Sequence, residues 1–126
     1  MLKQIKKPKI LVADDEEELV KALRDRLHFE GYDTVAAFEG VRAIEMAHKQ
    51  NPDLILLDLR MPAGTGQSVL KSLKTRPETE NIPVIVISAL EGNTLEHDLL
   101  KEGALDFVKK PYDWNILLDK IRKVIG

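Results

Sequence analysis

Three carboxylates, one hydroxyl and one ammonium stand immediately past short apolar runs in this chain. KILVA is followed by Asp14 and Asp15, LILL by Asp58, VIVI by Ser88, and ALDFVK by Lys110, which precedes Pro111. If those runs are parallel strands, all five side chains emerge along one edge of one sheet. Open α/β sheets place their ligand crevice there, outside the carboxyl ends of the strands. Unit charges about 4 Å apart repel by roughly 4 kcal/mol at an effective dielectric near 20, so three converging carboxylates call for a hard cation. Mg2+ suits them: it takes oxygen ligands, keeps several waters, and is held by a few carboxylates together with phosphate oxygens. The site is expected to bind Mg2+ weakly alone and better when phosphate is present. A carboxylate is also a nucleophile toward phosphorus. Asp58 is placed for that role, with Lys110 to neutralise phosphoryl oxygens and the Ser88 hydroxyl to donate a hydrogen bond to one.

Each residue has a plainer reading as well. The run DDEEE opens a helix, where acidic side chains cap backbone amides and complement the helix dipole. Glu16, Glu17 and Glu18 are read that way, as first-turn surface charge. Asp58 could cap a loop, although a lone carboxylate at a buried strand end is costly. Cis peptides are essentially confined to bonds preceding proline, and one at Lys110–Pro111 would aim the lysine into the crevice; trans is the default from sequence. It is the joint placement that favours a site.

The elements that must position these residues alternate along the chain. Apolar runs at Ile10 to Ala13, Thr34 to Ala37, Leu54 to Leu57, Val84 to Ile87 and Leu105 to Lys109 read as strands. Between and after them, apolar residues recur at helical spacing: Leu19, Leu23 and Leu27, then Ala43, Ile44 and Ala47, then Val69, Leu70 and Leu73, then Leu95, Leu99 and Leu100, and last Leu117, Ile121 and Val124. Gly31, Pro52 and Gly103 stop three of these helices. Five βα units in succession predict an α/β fold, a single (βα)5 doubly wound parallel sheet with helices on both faces. The flavodoxin-like strand order 2-1-3-4-5 would set the first and third strands side by side and bring Asp14, Asp15 and Asp58 to the switch point.

Bulk composition narrows the function classes. Hydrophobic residues make up 44% and charged residues 32% of 126 residues, as expected of one soluble globular domain. Lys plus Arg number 19 against 21 Asp plus Glu, a balance that argues against direct nucleic-acid binding. There is no cysteine, which excludes thiol catalysis and thiolate metal sites and fits a reducing compartment, the cytoplasm. No apolar run is long enough to span a membrane, and MLKQIKKPK lacks the apolar stretch of a signal peptide. His28, His48 and His97 share no spacing and are read as surface or packing residues. Asp53 and Asp113 read as caps. Trp114 is read as packing, with a partner anchor as its alternative.

Taken in order, LVADDEE, LILLDLRMP, VIVISA and DFVKKPY resemble the receiver domain of two-component response regulators, over essentially the whole length. The resemblance implies that Asp58 accepts a phosphoryl group from the histidine of a sensor kinase or a histidine phosphotransfer protein. It implies Mg2+, with Mn2+ as a substitute, held by Asp15, Asp58 and the backbone carbonyl of Arg60, with Asp14 acting through water. Ser88 would be the hydroxyl switch and Phe107 the aromatic switch, while Lys110, directly before the proline, matches the family's lysine. Arg60 and Leu90 stand where the family tunes phosphoryl lifetime; a bulky Leu90 is expected to hinder attacking water. Two departures are visible. Ala63, Gly64 and Thr65 precede Gly66 where Gly-x-Asp-Gly is common, and Ser88 replaces the commoner threonine.

The expectation is one receiver domain with a core of about residues 8–125, a signalling domain rather than a metabolic enzyme. No output segment follows the last helix, so the chain is either free-standing or cut from a longer protein. The downstream partner is not readable, and a homodimer through the last two βα units stays open. An Mg2+-dependent aspartyl phosphohydrolase would place Asp-x-Asp after the first strand, where this chain has adjacent aspartates. A flavodoxin-like cofactor binder would need a hydroxyl- or glycine-rich loop there, and DDEEE would repel its phosphate. A receiver that no longer accepts phosphate is disfavoured because every matched site residue is present.

Overall fold

The computed structural model describes residues 6–63, 65–89 and 94–126. Leu90 and Gly64 fall outside them. Among the described residues, five strands alternate with five helices: β1 (Lys9–Ala13), α1 (Glu17–Phe29), β2 (Asp33–Ala37), α2 (Gly40–Gln50), β3 (Leu54–Leu57), α3 (Gly66–Lys74), β4 (Val84–Ser88), α4 (Leu95–Lys101), β5 (Asp106–Lys109) and α5 (Trp114–Ile125). All strand pairs are parallel and the order is β2-β1-β3-β4-β5, as the alternating pattern predicts. β1 and β3 are neighbours, with Ala13 beside Leu57, so the residues that follow them emerge together.

Side chains alternate across each strand, and helices cover both faces. Ile10, Val12, Leu54, Leu56, Ile85 and Ile87 face one layer, made by Val20, Leu23 and Leu27 of α1 and Leu117, Leu118 and Ile121 of α5. Leu11, Ala13, Ile55, Leu57, Val84 and Val86 face the other, against α2, α3 and α4. Burying such side chains stabilises by roughly 1.5–3 kcal/mol each, which is what holds the strand ends in register.

The helix ends follow local chemistry. The Thr65 hydroxyl accepts from Ser68 N at 3.2 Å and starts α3; the Asp113 carboxylate accepts from Asn115 N and Ile116 N and starts α5, as its cap reading expects. Gly31 takes a φ of +96° past α1, a conformation open to glycine at little cost. Asp53 Oδ2 accepts from Lys9 N at 2.8 Å and ties the start of β1 to the turn before β3.

Candidate phosphoacceptor site

The backbone ladder carries the two inner aspartates one step past their strands. Asp14 N donates to Ala37 O at 3.0 Å, and Asp58 N donates to Ala13 O at 2.8 Å. Both residues are buried, at 6% and 4% exposure, whereas Asp15 is exposed. Each inner carboxylate spends one oxygen on its own loop: Asp14 Oδ1 accepts from Glu16 N at 3.0 Å, and Asp58 Oδ1 accepts from Arg60 N at 3.1 Å. The loop-cap reading of Asp58 therefore holds for one of its oxygens, whereas Asp14 closes the turn ahead of α1, whose N-cap Glu16 has no side-chain cap hydrogen bond. The other oxygen of each faces the crevice.

Lys110 meets both remaining oxygens. Its Nζ donates to Asp14 Oδ2 at 2.8 Å and to Asp58 Oδ2 at 3.0 Å. Its backbone N donates to Ser88 O at 2.9 Å, which extends the β4–β5 ladder to the site. The Lys110–Pro111 peptide is cis, where sequence alone favours trans. Burial pulls this ammonium toward its neutral form, but hydrogen bonds to Asp14 and Asp58, and the charges behind them, more than reverse that. Its pKa stands well above the ordinary lysine value. Lys110 is thus a fixed cation at neutral pH.

One ligand oxygen from each of Asp14, Asp15, Glu16 and Asp58 lies within 4.8 Å of the others. Four carboxylates against one ammonium is an excess of negative charge that a hard divalent ion fits. Ser88, fully buried at the end of β4, and Phe107, half-buried on β5, lie on neighbouring strands, with Ser88 opposite Lys109 and Val86 opposite Phe107. Phe107 packs against the core on the α2–α4 side. Arg60 is exposed in the loop after Asp58. Leu90 lies outside the described residues.

Two participants were not singled out by their sequence context. Glu16 Oε1 stands 3.4 Å from Lys110 Nζ, so this exposed side chain also belongs to the cluster. Gly66 packs directly on the backbone of Asp58 and Leu59: a Cβ there would lie 2.3 Å from Leu59 Cα and 2.5 Å from Asp58 O. Only a residue without a side chain lets α3 approach so closely. The three histidines stand apart on α1, α2 and α4, with His28 Nε2 paired to Thr34 Oγ1 at 2.8 Å. Trp114 is half-buried against the α1–α5 core, with the Arg26 guanidinium 5.2 Å from its ring centre, which bears out packing. Beside it, an open groove of about 590 Å³ runs from Lys110 past Tyr112 to Leu19 and Leu23 of α1.

Residues 10–122 match the family described as the response regulator receiver domain. This chain is a member of that family. It is 40% identical over 116 residues to the response regulator PleD of Caulobacter vibrioides, covering 92% of this chain but only 26% of PleD. The chain thus spans about a quarter of that relative's length. It is 30% identical over 117 residues to the polar-differentiation response regulator DivK of Brucella abortus (strain 2308), covering 93% of this chain and 95% of DivK. Among solved structures it is similar to the receiver domain of the Francisella response regulator 1452, at 33% identity and a TM-score of 0.86, over 93% of this chain and 95% of that one. It is also similar to the receiver domain of the sensor histidine kinase PA1611 from Pseudomonas aeruginosa, solved with a magnesium ion coordinated in its active-site cleft. There the identity is 26% and the TM-score 0.83, over 96% of this chain and 99% of that one. The receiver assignment carries the chain into two-component signalling. Among the described residues of this receiver domain, no helix is long and apolar enough to cross a membrane.

Proposed function

We propose that this receiver domain is a phosphoacceptor switch, with Asp58 as the acceptor and residues of about 8–125 as its single core. The observation that carries the reading is a buried carboxylate, Asp58, held 3.0 Å from a lysine ammonium inside a cluster of three further carboxylates. An Asp58 oxygen attacks the phosphorus of a phosphohistidine on a sensor kinase or a histidine phosphotransfer protein. The O–P bond forms, the P–N bond breaks, and the imidazole leaves with the electron pair and takes up a proton. Lys110 stays charged throughout and shifts from carboxylate to phosphoryl oxygen, which stabilises charge where it accumulates.

Asp15, Asp58 and the Arg60 carbonyl would hold Mg2+ directly and Asp14 would hold it through water, with Mn2+ as a substitute. The bound ion supplies charge neutralisation between carboxylates and phosphoryl oxygens. The Ser88 hydroxyl then turns toward the phosphoryl group and Phe107 follows into the space it leaves. That biases the α4–β5 region toward the form that a downstream partner binds. Water later attacks the acyl phosphate, at a rate set in part by Arg60 and Leu90. The domain thus promotes its own phosphorylation and dephosphorylation, and does so in the cytoplasm. The test is incubation with acetyl phosphate and Mg2+, read by intact mass, beside Asp58→Asn. One phosphoryl adduct that needs Mg2+ and is absent from the variant is expected. An adduct that persists in Asp58→Asn would move the acceptor elsewhere.

A further inference from the structure

Glu16 is the outermost of three carboxylates around one ammonium. Its side chain is 63% exposed, against 9% for Asp14, 5% for Asp58 and 12% for Lys110 itself. An ammonium has three protons, and here three carboxylate oxygens stand at 2.8, 3.0 and 3.4 Å from Nζ. The Asp14 side chain holds Glu16 in place by accepting the Glu16 backbone N–H, which folds the acidic run back over the crevice. Glu16 and Lys110 also form the near wall of the open groove beside α1. Asp14 and Asp58 therefore draw the ammonium inward, and Glu16 alone draws it toward the crevice mouth.

We infer that Glu16 is a positioning residue for Lys110. The inference rests on the reading of Asp58 as phosphoacceptor, because a phosphoryl group joined to Asp58 adds its oxygens on the outer side of that carboxylate. Lys110 must reach outward to meet them. With Glu16 present the ammonium is shared between inner and outer partners and is already displaced along that path. Without Glu16 it settles onto two inner carboxylates and has to be withdrawn from them during transfer. A simple field effect has the opposite sign. Removing a negative charge at the crevice mouth would speed reaction with an anionic donor, so the two accounts predict rates that move in opposite directions.

The experiment compares Glu16→Gln with Glu17→Gln, which makes the same charge change one residue further along on an exposed side chain. Phosphorylation by acetyl phosphate with Mg2+ is timed by intact mass. The Lys110 side-chain ammonium is followed by 15N NMR in the absence of metal and donor. An exposed ion pair couples weakly, so Glu16→Gln should slow phosphorylation by about threefold relative to Glu17→Gln and shift or broaden the Lys110 signal. Equal rates and an unmoved ammonium signal in the two variants overturn the inference. Faster phosphorylation in Glu16→Gln also overturns it, in favour of the field effect. Wild-type protein that takes no phosphoryl group refutes the acceptor reading alone, and the ammonium signal then decides whether Glu16 holds Lys110.

Discussion

Asp58→Asn should make the metal-free protein more stable, and the sign follows from competing terms around one buried carboxylate. Lys110 Nζ is 3.0 Å from Asp58 Oδ2, an attraction of about 5.5 kcal/mol at an effective dielectric near 20. Against it stand three carboxylates whose nearest ligand oxygens lie within 4.8 Å. Buried Asp14 repels by about 3.5 kcal/mol at the same dielectric, and exposed Asp15 and Glu16 by about 1 kcal/mol each once screened by water. The pairwise terms nearly cancel, so desolvation decides. An ionised carboxylate at 4% exposure carries a penalty of several kcal/mol that an amide does not. The amide oxygen keeps the Arg60 N–H bond, and Lys110 keeps Asp14 and Glu16. A net gain of about 1–2 kcal/mol is expected, or about 4–8 °C in melting temperature for a domain of this size. Thermal unfolding by circular dichroism in EDTA reads it. Adding Mg2+ at about ten times its Kd should raise the wild type by about 1.4 kcal/mol and leave the variant almost unmoved. A variant that melts lower in EDTA would show that the ion pair outweighs desolvation, and the account of a charge-strained crevice would be wrong.

Gly66→Ala should cost about 2 kcal/mol in urea unfolding, because overpacking against backbone leaves no flexible side chain to yield. Its Cβ would stand 2.3 Å from Leu59 Cα; an unchanged midpoint would mean that α3 lifts off freely. Tyr112 titrates above the usual tyrosine value: burial raises its pKa, Lys110 and Arg26 pull partly back, and Asp14 adds to the rise. The folded state therefore holds the proton more tightly than the unfolded chain, and the stability this contributes is present below pH 10 and is lost above it. Stability measured across that range should fall less steeply in Tyr112→Phe, and an unaltered slope would refute the assignment.

The strand interiors were legible because parallel strands buried on both faces are written as unbroken apolar runs, LILL for β3 being the plainest. The strand ends were not. β1 begins at Lys9 and β2 at Asp33, which pair across the sheet as polar residues and carry no apolar signal. Leu105 reads as strand because it is apolar, yet the residue is 52% exposed and β5 starts at Asp106. Among the site residues, those one step past a strand could be found from position alone. Glu16 could not, since its partner lies 94 residues away and its neighbours make it look like one more surface charge. The turn formed when Asp14 accepts the Glu16 amide is the local hint, and it shows only in three dimensions. The role of Gly66 is equally hidden, because nothing in a sequence records how near two backbones pass.

The two-layer core has a consequence for how such a chain diverges. Alternation along the strands gives Asp14, Asp58 and Lys110 the parity of Val12, Leu56 and Val108, on the α1–α5 side, whereas Ser88 and Phe107 share the parity of Val86, and Phe107 packs toward α2–α4. The sheet is thus a partition, with the charged cluster of Asp14, Asp58 and Lys110 on one side and Ser88 and Phe107 on the other. The two meet only along its carboxyl rim. Mutations can accumulate on α1 and α5 with little effect on the packing around Phe107, and the reverse holds for α3 and α4. Lineages built on this scaffold can change the α1–α5 face and the α2–α4 face in separate steps.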